Sequence, residues 1–404
     1  MTVAAIPATI LRRYAITYFG IVLAFGLIAA FALAMVTGLF LWRTGELSAL
    51  PDIVTRQLQT GAVYGSAVHD DSFEYKLQLV ATAKPTIIAL GSSRVLQFRQ
   101  AHFTETFINA GRAMTTPAEG IEFLAKLLPR HKPKFVILGL DFWWFNPNWP
   151  YPGRHVRRDE LDLAALKRVN QWLLDGKITI PDMWRVVFQG DNHNSITQAD
   201  NIGVAAIKRG YGYWADGSRD YGLRYFGTDP AFDDAKFGNT LSRIANGVSQ
   251  FTHSEVIAAG RFAALDELLE LLIAADITPI IILTPLAKRV LDRMVARGQA
   301  YAYILAFRDR IKTMTVERYD FSDPGSLGSD DCEFVDGVHG GEIVYQRILA
   351  EIVRRNPQTA IAPLVSSADL RRSIKQSSGR TLSAESAAKY SLAETDFLGL
   401  GCVK

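Results

Sequence analysis

The longest apolar run in the chain lies near its beginning. From Tyr14 to Trp42 no residue is charged, and only Thr17 and Thr37 interrupt the apolar sequence. A helix needs about 20 such residues to cross a bilayer, so this run predicts a transmembrane span with room for tilt. A cleaved secretory signal is the competing reading, because Ala32-Leu33-Ala34 supplies small residues suited to cleavage. Against it, Met35-Val36-Thr37-Gly38-Leu39-Phe40-Leu41-Trp42 carries the apolar sequence past the roughly 7–15 residues of a signal core. An uncleaved anchor over 14–42 is therefore expected, with 1–13 cytoplasmic and Trp42 at the interface. Arg12 and Arg13 favour that orientation, although Arg43 on the other flank weakens the asymmetry. The rest of the chain is then expected outside the cytoplasm.

Beyond the anchor, 43–83 reads as a polar, partly helical connector. Short apolar runs then alternate with amphipathic stretches. Strands are predicted at Thr86-Ile87-Ile88-Ala89-Leu90, Phe107-Ile108-Asn109-Ala110, 135–140, 277–283 and around 316–321. Helical spacing appears over 117–130, 254–275, 286–312 and 341–355. Buried strands alternating with helices predict an α/β domain, here 84–356, with a mostly parallel sheet and helices on both faces. Right-handed crossovers would place its active loops at the carboxyl ends of the strands. Residues 142–250 break this rhythm and read as one insertion, with helices near 159–174 and 181–189. From 357 to 404 the chain turns polar and rich in Ser and Ala, and a weakly ordered tail is expected.

Composition narrows the function. Among 404 residues, 49% are hydrophobic and 21% charged, so most of the chain can bury a core. A net charge of +3, spread without clusters, gives no reason to expect a nucleic-acid partner. Two cysteines, Cys332 and Cys402, make no disulfide framework and leave the redox compartment undecided; Cys332 is expected to fill the core. Neither they nor His155, His193 and His253 show ligand spacing, so no metal and no cofactor is assigned.

Two short motifs carry candidate chemistry. In Ile88-Ala89-Leu90-Gly91-Ser92-Ser93-Arg94-Val95, a serine follows a buried strand through a glycine. A sharp turn there can present a hydroxyl at the sheet's carboxyl edge, and a following helix would aim its N–H groups at the same point. Gly-Ser-Ser is also an ordinary turn. The second motif, Phe334-Val335-Asp336-Gly337-Val338-His339-Gly340-Gly341, precedes the last predicted helix. Asp three residues before His can orient an imidazole within one tight loop, leaving its other nitrogen to take a proton from serine.

In order and spacing these motifs resemble those of the SGNH, or GDSL-type, hydrolase superfamily. The resemblance covers roughly 84–141 and 277–355. It implies a three-layer α/β/α fold with a five-stranded parallel sheet, Ser93 as nucleophile, and Asp336 and His339 as its partners. Ser92 stands where the family usually has Asp. Ile108-Asn109-Ala110-Gly111 resembles the second family block and nominates the Gly111 N–H, with that of Ser93, for the oxyanion hole. The third block, Gly-x-Asn-Asp in the family, is matched by Gly139-Leu140-Asp141-Phe142, which puts Asp141 in place of the donating Asn. An ionised carboxylate there would repel an oxyanion, so Asp141 must be protonated, turned away or replaced in role. Asn109 is the first substitute to consider and Asn146 the second.

The resemblance implies a serine esterase or O-acyltransferase passing acyl groups through an acyl-enzyme, similar to membrane-anchored proteins that acylate cell-surface polymers. An acylated glycan or other ester is the expected substrate, the lipid bilayer a partner through the N-terminal helix, and a membrane acyl-donor protein a further partner if transfer is the reaction. The expected location is a bacterial-type inner membrane, single-pass, with the domain extracytoplasmic. A catalytically silent relative that binds glycan or an assembly partner is the alternative. Two aromatic clusters, Phe142 to Tyr151 and Tyr211 to Phe226, suit sugar stacking, an interfacial membrane belt or simple core packing.

Overall fold

The computed structural model describes residues 7–67, 72–149, 171–176, 178–193, 196–197 and 199–404. His155, and most of the helix expected near 159–174, lie outside them. The chain divides into two compact units, Met1–Leu47 with Glu160–Asn192, and Ser48–Asp159 with His193–Lys404. The stretch read as one insertion, 142–250, is thus divided: 160–192 belongs with the N-terminal helix, and 142–159 and 193–250 belong with the larger unit.

In the first unit, α1 (Ala8–Thr44) is a single helix of 37 residues. At 1.5 Å per residue it measures about 55 Å, longer than the roughly 30 Å hydrocarbon layer of a bilayer. Gly45 ends it in a left-handed conformation (φ 84°), its N–H bonded to the Trp42 carbonyl. Large apolar side chains from Ile10 to Met35 are exposed, a surface that water does not favour. One N-terminal helix is therefore long and apolar enough to span a membrane.

The larger unit is built on a parallel five-stranded sheet in the order β3-β2-β4-β8-β9. Its strands are β2 (Ile87–Gly91), β3 (Phe107–Gly111), β4 (Phe135–Gly139), β8 (Thr278–Leu283) and β9 (Glu317–Asp320). All five fall where the short apolar runs predict them. The β2 and β3 side chains are buried throughout, as strands covered on both faces require. The fold is α/β in three layers, with helices on both sides of this sheet. Thr116 caps the helix Pro117–Leu127 through the Glu119 N–H, and Pro117 opens its first turn. The long stretch 286–312 forms two helices, Lys288–Val295 and Ala302–Lys312, separated at Gly298 with φ 54°.

The connector is not a tether. Residues from it and from the insertion form a second, mixed sheet ordered β5-β1-β6-β7, comprising β1 (Val63–Tyr64), β5 (Asn201–Ile202), β6 (Tyr211–Tyr213) and β7 (Arg219–Tyr221). Lys76, fully buried, ties this region to the main sheet. Its ammonium donates to the Asn109 and Gly217 carbonyls and lies 3.9 Å from the Tyr213 ring centroid. Burial, reinforced by the charge of Arg219, holds its pKa well below the usual lysine range. The Tyr211–Phe226 cluster is largely core, with Tyr213, Tyr221, Tyr225 and Phe226 all buried.

The tail also departs from expectation. Helix Ser367–Ser377 packs on helix Glu342–Arg355, and Tyr390, Phe397 and Leu398 are buried. The Tyr390 hydroxyl donates to Asp220 at 2.7 Å. Cys332 is not a free core thiol: it is bonded to Cys402, with Cα atoms 5.8 Å apart and 70 positions of chain enclosed. The Lys404 ammonium donates to the Cys332 carbonyl at 2.6 Å, so the chain end is held beside this bridge. Cys402→Ser is expected to lower stability by about 2–5 kcal/mol, because the bridge restricts the unfolded chain. Urea unfolding with and without reductant checks this: reductant should weaken the wild type to the level of the variant and leave the variant unchanged.

Candidate active site

The site is assembled at the carboxyl edge of the main sheet. After β2 the chain turns at Ser92, whose hydroxyl accepts from the Arg94 N–H at 3.1 Å and caps a single 3-10 turn, Ser93–Val95. No longer helix follows, so the dipole support expected from sequence is limited to this turn. Two glycines let the turn settle on the sheet. A Cβ on Gly139 would lie 2.1 Å from Val95 Cγ1, and one on Gly111 would lie 2.8 Å from Leu96 Cδ2.

The loop after β9 brings in the other half. Val335 N–H donates to the His339 carbonyl at 2.8 Å, closing the loop. Inside it, the Val338 and His339 N–H groups both donate to Asp336 Oδ1 at 2.9 Å. His339 Nδ1 lies 2.8 Å from Asp336 Oδ1 and 2.9 Å from Oδ2, and Nε2 lies 2.8 Å from Ser93 Oγ. With Nδ1–H donating to the carboxylate, Nε2 is the acceptor for the serine hydroxyl. Arg224 approaches Asp336 Oδ2 at 3.4 Å. Burial raises the Asp336 pKa, but the imidazole, Arg224 and the Val338 N–H outweigh it and hold the carboxyl well below the usual range. Ser93, His339 and Asp336 are thus brought together as expected.

Of the groups nominated for an oxyanion hole, Gly111, Asn109 and Asn146 are already engaged elsewhere. Gly111 N–H donates to Asn109 Oδ1 at 2.8 Å. The Asn109 amide donates to the carbonyls of Val95 and Phe98 at 2.7 and 2.9 Å, with the side chain wholly buried. Asn109 therefore braces the serine turn from below rather than facing a substrate. Asn146 donates to the Thr252 carbonyl and accepts from Asn148, so it is spent as well. Asp141 is paired: its Oδ1 lies 3.0 Å from Arg94, with side chains 1% and 3% exposed. Burial raises the Asp141 pKa despite the opposing charge of Arg94. The Arg94 guanidinium also donates to the Thr284 carbonyl, and the Tyr345 hydroxyl donates to the Arg94 carbonyl. Among the described residues, the Ser93 N–H has no acceptor.

A cavity of about 330 Å³ opens at Ser93 and His339, walled by Trp143, Trp149, Arg112 and Gln250. Arg112 follows β3 with φ 68°, a left-handed conformation uncommon for a residue with a Cβ. Its guanidinium is the one lining group among the described residues that carries a fixed charge. Sequence reasoning missed Arg112, Gln250 and Arg224. Nothing local marks them, although Arg94 beside the serine and Asp141 in a donor's place were both visible and complementary in charge. Trp144 and Phe145 are fully buried, so the first aromatic cluster is partly core, although Trp143, Trp144 and Trp149 all line the cavity. His193 pairs with Asp200, His253 meets the Ile244 carbonyl, and no cluster able to hold a metal occurs among the described residues. No family model matches the chain, and a search of curated proteins finds no match.

Proposed function

We propose that the chain is a membrane-anchored serine esterase or O-acyltransferase of the SGNH type, acting on acyl esters of an extracytoplasmic glycan or cell-surface polymer. The observation that carries this reading is the unbroken relay from Ser93 Oγ through His339 to Asp336, each contact at 2.8 Å. Ser93 Oγ attacks the ester carbonyl while its proton passes to His339 Nε2. The tetrahedral intermediate collapses, the leaving alcohol takes that proton, and the acyl group stays on Ser93. Water or a sugar hydroxyl then attacks the acyl-serine, giving its proton to His339, which returns it to Ser93. Asp336 stays ionised throughout and fixes the imidazole tautomer. The Ser93 N–H is the backbone donor to the oxyanion, and Arg112 and Gln250 are among the polar groups of the cavity wall. Trp143 and Trp149 offer aromatic faces on which a sugar ring can stack.

Two features support the location in this reading. The apolar helix suits a single membrane anchor. The Cys332–Cys402 bridge suits an oxidising compartment, which supports reading the larger unit as extracytoplasmic. A second reading, a glycan-binding protein without turnover, is favoured by the engagement of the Gly111 N–H and by Asp141 standing where a donor is expected. Turnover separates the two. Incubated with p-nitrophenyl acetate, the detergent-solubilised chain is expected to release p-nitrophenol and to show an acetylated Ser93 peptide by mass spectrometry. Added soluble polysaccharide then takes the acetyl group if transfer is the reaction. No acyl-serine and no release would leave only the binding reading.

A further inference from the structure

The first unit exposes a second apolar surface besides α1. A short helix, Ile180–Trp184, continues as a π-helical turn, Arg185–Gln189. Thr179 opens it with a capping box: its hydroxyl accepts from the Asp182 N–H, and the Asp182 carboxylate accepts from the Thr179 N–H. Ile180, Trp184 and Phe188 follow one another at four-residue spacing and are 79%, 58% and 59% exposed; Leu174, just before, is 83% exposed. The Trp184 and Phe188 rings lie 4.4 Å apart, so they form one continuous apolar ridge. Val186 and Val187 turn the other way and are buried. Isolated exposed apolar residues are ordinary, but a ridge of large side chains at helical spacing marks a surface with a partner.

Its position indicates which partner. The π-helical turn packs against α1. The Asn192 amide donates to the Arg43 carbonyl at 3.2 Å, at the last turn of α1. There Phe40 and Leu41 are buried, while Trp42 remains 60% exposed with the Arg43 guanidinium 5.3 Å from its ring. A Trp beside a basic residue at the end of an apolar span is the signature of a membrane–water boundary. Asn192, four residues after Phe188, is held at that same end of α1. The ridge's make-up, Leu, Ile, Trp and Phe on one side with Asp182, Arg185 and Asp191 paired among themselves, suits a helix lying flat in the interface.

We propose that Leu174, Ile180, Trp184 and Phe188 form a second membrane contact, embedded in the interfacial layer of the leaflet where α1 ends. The partner is a phospholipid surface. This rests on α1 being a membrane span. The chain passes between the two units three times, after Leu47, after Asp159 and after Asn192. An interfacial ridge in the first unit would therefore restrain rotation of the anchor about its own axis, which a lone helix cannot do.

Both native cysteines are paired, so single engineered cysteines can carry nitroxide labels. Full-length chains bearing Trp184→Cys or Phe188→Cys would be placed in nanodiscs of phosphatidylethanolamine and phosphatidylglycerol. Leu27→Cys, within α1, reports the bilayer interior, and Arg372→Cys, on an exposed helix, reports water. Collision of each label with oxygen, which concentrates in lipid, is compared with collision with a polar nickel chelate. At 184 and 188 the oxygen-to-nickel ratio is expected to exceed that at 372 several-fold and to fall short of that at 27. Ratios at 184 and 188 equal to that at 372, with 27 reading lipid, would overturn the proposal and leave the anchor standing. Low collision with both reagents would mean that protein covers the ridge, which also overturns it. A label at 27 that reads water would remove the anchor itself, and the ridge proposal with it.

Discussion

Ser93→Ala is expected to abolish covalent capture by a fluorophosphonate probe and to reduce ester turnover by about 10⁴–10⁶-fold. The hydroxyl lies 2.8 Å from His339 Nε2, and no other serine makes that contact among the described residues. Ser92→Ala is the matched control. Its hydroxyl caps the turn through the Arg94 N–H, so its loss should cost about 1 kcal/mol of stability while labelling at Ser93 persists. His339→Ala should remove nearly as much turnover as Ser93→Ala, and the double variant little more, because nucleophile and base act as one unit. Labelling that survives Ser93→Ala but is lost in Ser92→Ala would mean that the wrong serine has been assigned. Labelling and turnover untouched by either change would end the triad reading.

Arg94→Ala is expected to destabilise the larger unit by about 3–5 kcal/mol, because it leaves the Asp141 carboxylate buried without its counter-charge. Asp141→Asn is the sharper test. It restores the residue that the SGNH pattern has at this position, so an oxyanion role would predict higher turnover. The observed pairing predicts the opposite: Asn cannot neutralise Arg94, and the variant should lose stability with no gain in rate. Replacing both, as Arg94→Met with Asp141→Leu, should recover much of the lost stability, since a buried ion pair gains little over apolar side chains of similar size. Urea unfolding of the four proteins and their p-nitrophenyl acetate turnover decide the matter. A faster, equally stable Asp141→Asn variant would return position 141 to the oxyanion hole.

The pair also helps to hold the serine turn in place. Asn109 and the Gly111 N–H, expected to face substrate, hold each other and the carbonyls of Val95 and Phe98. Arg94 is held at its guanidinium by Asp141 and at its carbonyl by Tyr345. The residues beneath Ser93 therefore fix the turn's geometry.

Periodicity was enough to read the five parallel strands, the main helices and the apolar N-terminal span, because each depends on residues a few positions apart. The candidate serine, aspartate and histidine were legible for the same reason: Gly-Ser-Ser after a strand and Asp-x-x-His in a glycine-rich loop are local patterns. The engagement of Asn109 and the Gly111 N–H was not legible, because donors cannot be told apart by type. Whether the Asn109 amide faces a cavity or the Val95 carbonyl depends on backbone that only folding brings alongside. The Cys332–Cys402 bridge and the docked tail escaped notice likewise, since composition reports how polar a segment is and not which pocket its few apolar side chains, such as Tyr390 and Phe397, will fill. Local pattern set the elements and the chemistry they carry. The tertiary structure alone decided the partners, because Ser93 and His339 are separated by 246 positions and Arg94 and Asp141 by 47. No short-range propensity acts over such distances.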